Sequence, residues 1–335
     1  MREDTLVGER RDAVLHGNTA VRTLPTVPDP TPDFSPPRDT KPPWRTVAPE
    51  IFDRFDAITA TALTAIDAGV TGPIIRMIDA VLGCSTHGRG VTPTDARELA
   101  CLAFAEQFVV DVSAITDAQR AAMTTAMGNN AFLFVQSVYV NDVFTRARLG
   151  LARLFGTVTP PVTSEAIAPE LLWSELERFM ASVARLDRLD PLLTELIRLH
   201  GARVHECRLC RSRVSVKALD LAGDHAVLRT SVHESRTAFT DRQRVALRLT
   251  DALVTQPSSI DDTLARHVHE HFDAAEVVEI VLDVARNAAN KIAVAFGADA
   301  PNVTEGVEYF DLDGAGEVIA DVDAEVVRAG TARTR

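Results

Sequence analysis

Two cysteines three positions apart, Cys207 and Cys210, are the residues of this chain best suited by type and spacing to do chemistry. A C-x-x-C pair can cycle between dithiol and disulfide, and the reacting species is the thiolate. Glu195 lies 12 residues before the first thiol, and Arg203, Arg208, Arg211 and Arg213 flank the pair. Both thiols are expected near the start of a helix, where the helix dipole and these positive charges would lower a thiol pKa. A thiolate attacks peroxides and disulfides, and a second cysteine nearby can capture the resulting sulfenic acid before it is overoxidised. The spacing leaves open which cysteine attacks and which resolves.

Other motifs carry less. His267-Val-His-Glu270-His271 fits H-x-x-E-H, in which histidines at i and i+4 can face one metal. No third ligand is evident, so His267 and His271 are weak metal candidates at a polar helix end, suited at most to adventitious zinc or nickel. Asp311-Leu-Asp313-Gly314 begins like a calcium loop but lacks the later ligands and is set aside. Cys84 and Cys101 have no charged partners in sequence and read as core residues. No metal, flavin or nicotinamide motif stands out, so no cofactor is expected.

Glu195, Cys207 and Cys210, then Phe239-Thr-Asp-Arg-Gln-Arg244, His271-Phe-Asp-Ala-Ala-Glu-Val-Val278, and Asn287 with Asn290 form a series that resembles the carboxymuconolactone decarboxylase and alkylhydroperoxidase D-like family, over residues 185–297. The resemblance implies an all-α alkylhydroperoxidase D-like helical bundle that assembles as a homo-oligomer. It also implies a thiol-dependent peroxidase in which Cys210 attacks peroxide, Cys207 resolves and Glu195 accepts the proton. Electrons would come from an external dithiol or a thioredoxin-like partner. One position departs: the family's histidine, four residues after the second cysteine, is Val214 here. If that position falls one helical turn beyond Cys210, a relay residue is missing, and His200 or His205 could replace it through space. The family's other branch, lactone decarboxylation, does not use the two thiols. A non-enzymatic redox sensor or oligomeric scaffold is the third reading.

The elements that must position these residues are helices. From Pro49 onward Ala, Leu, Val and Ile recur three and four apart, and long alternating β-runs are absent. Asp273 and Glu276 have capping-box spacing and open a helix whose apolar face runs from Val277 to Ala295, with Gly297 closing it. Thr240 and Gln243 open the preceding helix in the same way. Thr92-Pro93 is expected to start the helix through Leu99, Leu102 and Phe104.

Residues 1–48 carry eight of the 17 prolines between Pro25 and Pro43, a composition that resists regular hydrogen bonding. This reads as a disordered or surface-draped arm that Phe34 and Trp44 could anchor. Residues 301–335 read as a solvated acidic tail. Between them lies a faint duplication: Ala48-Pro49-Glu50 recurs as Ala168-Pro169-Glu170, Pro73–Met77 matches Pro191–Glu195, Thr94-Asp95 matches Thr240-Asp241, and Gly150 matches Gly297. On this reading 49–160 is a degenerate helical lobe without the C-x-x-C segment, and 165–300 is the thiol-bearing domain.

The whole chain has 335 residues with 35 Lys plus Arg against 47 Asp plus Glu, a net charge of −12 that disfavours a nucleic-acid partner. No apolar run is long enough for a membrane span, and the charged start MREDTLVGERRD does not read as a signal peptide. A cytoplasmic location is therefore expected.

Overall fold

The computed structural model describes residues 42–84, 93–159, 162–222, 228, 238–320 and 322. Its chain runs through α1 (Pro49–Thr64), α2 (Ala68–Leu82), α3 (Ala96–Asp111), α4 (Asp117–Met127), α5 (Ala131–Tyr139), α6 (Thr145–Phe155), α7 (Leu172–Ala184), α8 (Pro191–Val204) and the short α9 (Arg208–Arg211). There follow β1 (Arg213–Ser215), α10 (Val216–Ala222), α11 (Asp241–Thr255), α12 (Asp262–His271), α13 (Ala274–Asn287), α14 (Asn290–Ala295), β2 (Glu308–Leu312) and β3 (Val318–Ala320). The expected all-α class holds, with one small sheet added.

Local chemistry sets the helix starts. The Thr240 hydroxyl accepts from Gln243 N while the Gln243 side chain returns to Thr240 N, and Asp273 with Glu276 makes the same reciprocal cap. Each such cap is worth about 1 kcal/mol. Asp190 caps α8, with Pro191 at its first position. The α3 start differs from expectation. Asp95 is the cap and accepts from Glu98 N, because an Asp side chain can satisfy that N–H and Pro93 cannot. Thr92 lies outside the described residues.

The helix expected to run from Ala274 to Gly297 is broken at Ala288 and Ala289, and α14 restarts at Asn290. Gly297 follows in the left-handed region (φ +68°). Gly150, its proposed counterpart in the duplication, lies inside α6, while the left-handed residue closing α6 is Gly156. That pairing does not hold in three dimensions.

The larger apolar core runs from Trp44 to Ala295, beside a smaller cluster around Leu196 and Val214, and the stacked rings of Phe55 and Phe144 (4.1 Å between centroids), with Phe179 against both, tie α1 to α7. Trp44 is buried edge-on against Phe52 at 4.8 Å, on a 3-10 turn spanning Pro43–Thr46. The expected arm therefore ends earlier than residue 48, and Trp44 belongs to the body. Phe34 lies outside the described residues. A π-helical segment, Val140–Phe144, joins α5 to α6 and turns Asp142 inward, where it meets Lys291 and Arg146, each at 2.6 Å.

The segment read as a solvated tail is partly structural. β2 pairs parallel with β1, Arg213 opposite Glu308 and Val214 opposite Tyr309, and β3 pairs antiparallel with β2. Glu308 is buried and binds Arg213 at 2.5 Å, so its charge is neutralised in place. Residues 323–335 lie outside the described residues.

Candidate functional site: a dithiol at the end of α8

α8 packs on α10, α11 and α13, and its last turn delivers the thiols. Glu206 adopts φ +52°, a left-handed conformation that costs a non-glycine residue about 1 kcal/mol or more. That residue reverses the chain, so that Cys207 N donates back to Ala202 O at 3.0 Å and Cys207 becomes the cap of α9. Asp299 pins the loop from outside: its carboxylate accepts from Arg208 N at 2.9 Å and its carbonyl from Leu209 N at 2.9 Å.

The two sulfurs are 2.7 Å apart, with the Cys207 thiol donating to Cys210. Cys207 is fully buried and Cys210 half-buried, so Cys210 is the accessible thiol. The hydrogen bond from Cys207 lowers the Cys210 pKa to about 7 against burial, aided by the charges of Arg198 and Arg213 and a hydrogen bond from Asn290. The same contact, with burial, pushes Cys207 upward. The expected helix-dipole contribution is slight, because α9 has only four residues. Of the flanking arginines, Arg208 is held by Asp299 at 2.7 Å and Arg203 donates to Leu228 O. Arg198, outside the motif, is the stronger electrostatic partner.

Glu195 is buried and holds Arg198 through a fork: Nε to Oε2 at 2.6 Å and Nη2 to Oε1 at 2.7 Å. Ser215 N donates to Oε1 at 3.1 Å. Among the described residues no hydrogen bond joins Glu195 to either sulfur. It acts through Arg198, which donates to the carbonyls of Cys210 (2.8 Å) and Arg213 (2.7 Å) and stacks on Phe310.

The two candidate histidines separate. His200 is buried against Asp251 at 3.2 Å, bridging α8 to α11. His205 reaches the thiols indirectly: its Nδ1 lies 2.9 Å from Asn290 Oδ1, and the Asn290 side chain is among the groups that lower the Cys210 pKa. Burial, with the nearby charge of Lys291, depresses His205 to about 3, so the ring is neutral and Nδ1–H donates to the amide oxygen. Asn290 entered the sequence analysis only as part of the resemblance, with no role assigned, and the structure places it against His205. It sits at the α13–α14 break, and an asparagine inside an apolar helical pattern carries no signal of its partners.

Val214 is not one helical turn beyond Cys210. It lies on β1, buried among Leu196, Leu199, Leu219 and Phe239. His267 and His271 sit on α12, where the His271 carbonyl accepts from Arg242, and no cluster of three or more metal-ligating side chains occurs among the described residues. Asp313 organises the β2–β3 turn, its carboxylate accepting from Ala315 N and Glu317 N. Burial pushes Cys84 and Cys101 each up to about 11. No helix among the described residues is long and apolar enough to cross a membrane.

Two uncharacterized proteins of Mycobacterium tuberculosis, MT2376 and Rv2313c, are each 38% identical to this chain over 273 residues, covering 78% of it and 96% of their own length. Uncharacterized protein YnjA of Escherichia coli is 28% identical over 93 residues, 28% of this chain and 51% of that protein. No family model and no solved structure matches.

Proposed function

For a chain that belongs to the family of the uncharacterized Mycobacterium tuberculosis protein Rv2313c, we propose a thiol-dependent oxidoreductase that reduces peroxides through a Cys207/Cys210 dithiol–disulfide cycle. The observation that carries this reading is the sulfur pair: a half-buried Cys210 with a pKa of about 7, receiving a hydrogen bond from a buried Cys207 at 2.7 Å. A thiol with a pKa near ambient pH combines a useful thiolate fraction with retained nucleophilicity.

In the first step the Cys210 thiolate attacks the terminal peroxide oxygen; an S–O bond forms, the O–O bond breaks, and the alkoxide leaves as an alcohol on taking one proton. Cys207 then attacks the sulfenic sulfur, its thiol proton departing with the hydroxyl as water, and the disulfide closes. An external dithiol or thioredoxin-like protein returns two electrons and two protons. Arg198, fixed by Glu195, stabilises the thiolate, and Asn290 with neutral His205 positions it. Assembly as a homo-oligomer and a cytoplasmic location belong to the same proposal.

Peroxide consumption with a dithiol reductant tests this reading. Sustained turnover that Cys210→Ser abolishes is expected, and a Cys210→Ser variant as fast as the parent would overturn it. One observation favours a redox sensor instead: both Glu195 oxygens are already bound, leaving no free carboxylate base at the sulfurs. Stoichiometric disulfide formation without turnover would select that alternative.

A further inference from the structure

A cleft of about 530 Å³ is lined in part by Arg198, and neither cysteine lines it. One wall is the α7–α8 connection and the other is the β2–β3 hairpin, with Glu195, Arg198 and Arg286 among the lining residues. Leu186, Leu189, Phe310 and Leu312 supply an apolar part of the rest, beside the acids Asp187, Asp311 and Asp313.

The cations in this cleft are not equivalent. Arg198 is committed to Glu195, Lys217 to Asp311 at 2.8 Å, and Arg185 to the carbonyl of Ala315 at 2.7 Å. Arg286 differs: its side chain is only 14% exposed, and among the described residues its guanidinium has no hydrogen-bond partner. Its acidic neighbour, Asp283, approaches no closer than 4.0 Å, and Asp283 Oδ2 is itself buried without a partner. Burial also pushes the Asp283 carboxyl up to about 7, which weakens it as a counter-charge.

The remaining acid on this face of α13 is unavailable. Glu279 accepts from Arg188 N at 2.9 Å and Leu189 N at 3.2 Å, fixing the cleft wall. The donors that Asp283 leaves unused meet the cleft, and a carboxylate can complete the guanidinium there with two parallel N–H···O bonds.

The geometry points to a second ligand site, in which Arg286 binds the carboxylate of a small amphiphilic acid whose apolar tail lies against Phe310 and Leu312. This site goes beyond the thiol chemistry and stands whether or not Cys207 and Cys210 turn over. It adjoins the thiols through Arg198, which lines the cleft and donates to the carbonyl of Cys210.

Octanoate serves as the probe in isothermal titration calorimetry with the full chain, and 1-octanol as the neutral control. Octanoate is expected to bind with a Kd of about 1 mM or below. Arg286→Gln should weaken it about tenfold or more, the loss of charge-assisted hydrogen bonds. Leu312→Trp, which fills the cleft without touching a charge, should abolish binding and covers the case in which Arg286→Gln does not fold. The proposal is overturned if octanoate gives no binding heat up to about 10 mM, if 1-octanol binds as well as octanoate, or if either folded variant binds octanoate as the parent does.

Discussion

Asn290 stands between His205 and Cys210: its amide oxygen accepts from the imidazole at 2.9 Å, and its side chain helps to lower the Cys210 pKa. A neutral ring and an amide therefore stand where a relay through a histidine next to the sulfurs was expected. Asn290→Ala removes one of the smaller contributions that lower the Cys210 pKa, behind the Cys207 contact and the charge of Arg198. The Cys210 pKa should move part of the way from about 7 toward the ordinary 9.0, lowering the thiolate fraction at neutral pH. The pH dependence of iodoacetamide labelling measures this directly.

Thiol selectivity follows from the same electrostatics. At pH 7 Cys210 should be alkylated first, while Cys84 and Cys101, pushed up to about 11, stay slow. Peptide mapping after brief labelling checks it. Preferential labelling of Cys84 or Cys101 contradicts the assignment.

Glu195→Gln breaks a buried fork and leaves Arg198 without its counter-charge, at a cost of about 3–5 kcal/mol. Because Arg198 also holds the carbonyls of Cys210 and Arg213, the variant should lose both stability in urea and peroxide turnover. Unchanged stability would remove Glu195 from the scaffold of the site.

Val214→His should not restore a relay. The imidazole would be buried on β1 among leucines, at a cost of about 1–3 kcal/mol, with no gain in peroxide consumption. A faster enzyme with unchanged urea stability would show that the β1 geometry is wrong.

Two buried groups impose opposite pH dependences on stability. His205 titrates at about 3 when folded and near 6.5 when unfolded, so its contribution to stability is lost as pH falls from 6.5 toward 3. Asp283 titrates at about 7 when folded and near 3.8 when unfolded, so its contribution grows as pH falls from 7 toward 3.8. Around pH 5 the two cancel. Asp283→Asn should expose the histidine slope, a loss of about 1.4 kcal/mol for each pH unit below 6.5. Urea unfolding from about pH 5 to pH 7 resolves it.

The sequence made legible what depends on neighbours along the chain. The dithiol, the capping boxes at Thr240 and Asp273 and the helical period are local, and each appears where local rules place it. Contacts made across the chain were not legible. β1 is three residues long and finds its partner 95 positions later, so neither strand shows a pattern strong enough to read. The α13–α14 break falls on an Ala-Ala pair with good helix propensity, and tertiary contacts of Asn290 and Lys291 accompany it. Glu206 gives no hint of its left-handed backbone, since such residues are normally glycine or asparagine.

The parallel pairing of β1 with β2 also sets an order in time. β1 begins three residues after Cys210, and its sheet partner, Glu308–Leu312, is synthesised 95 residues after it. A growing chain has both thiols long before it has the strand that clamps their loop, and parallel pairing across such a separation is slow to form. Nascent chains therefore pass through an interval in which the dithiol is complete in sequence but β1 has no sheet partner.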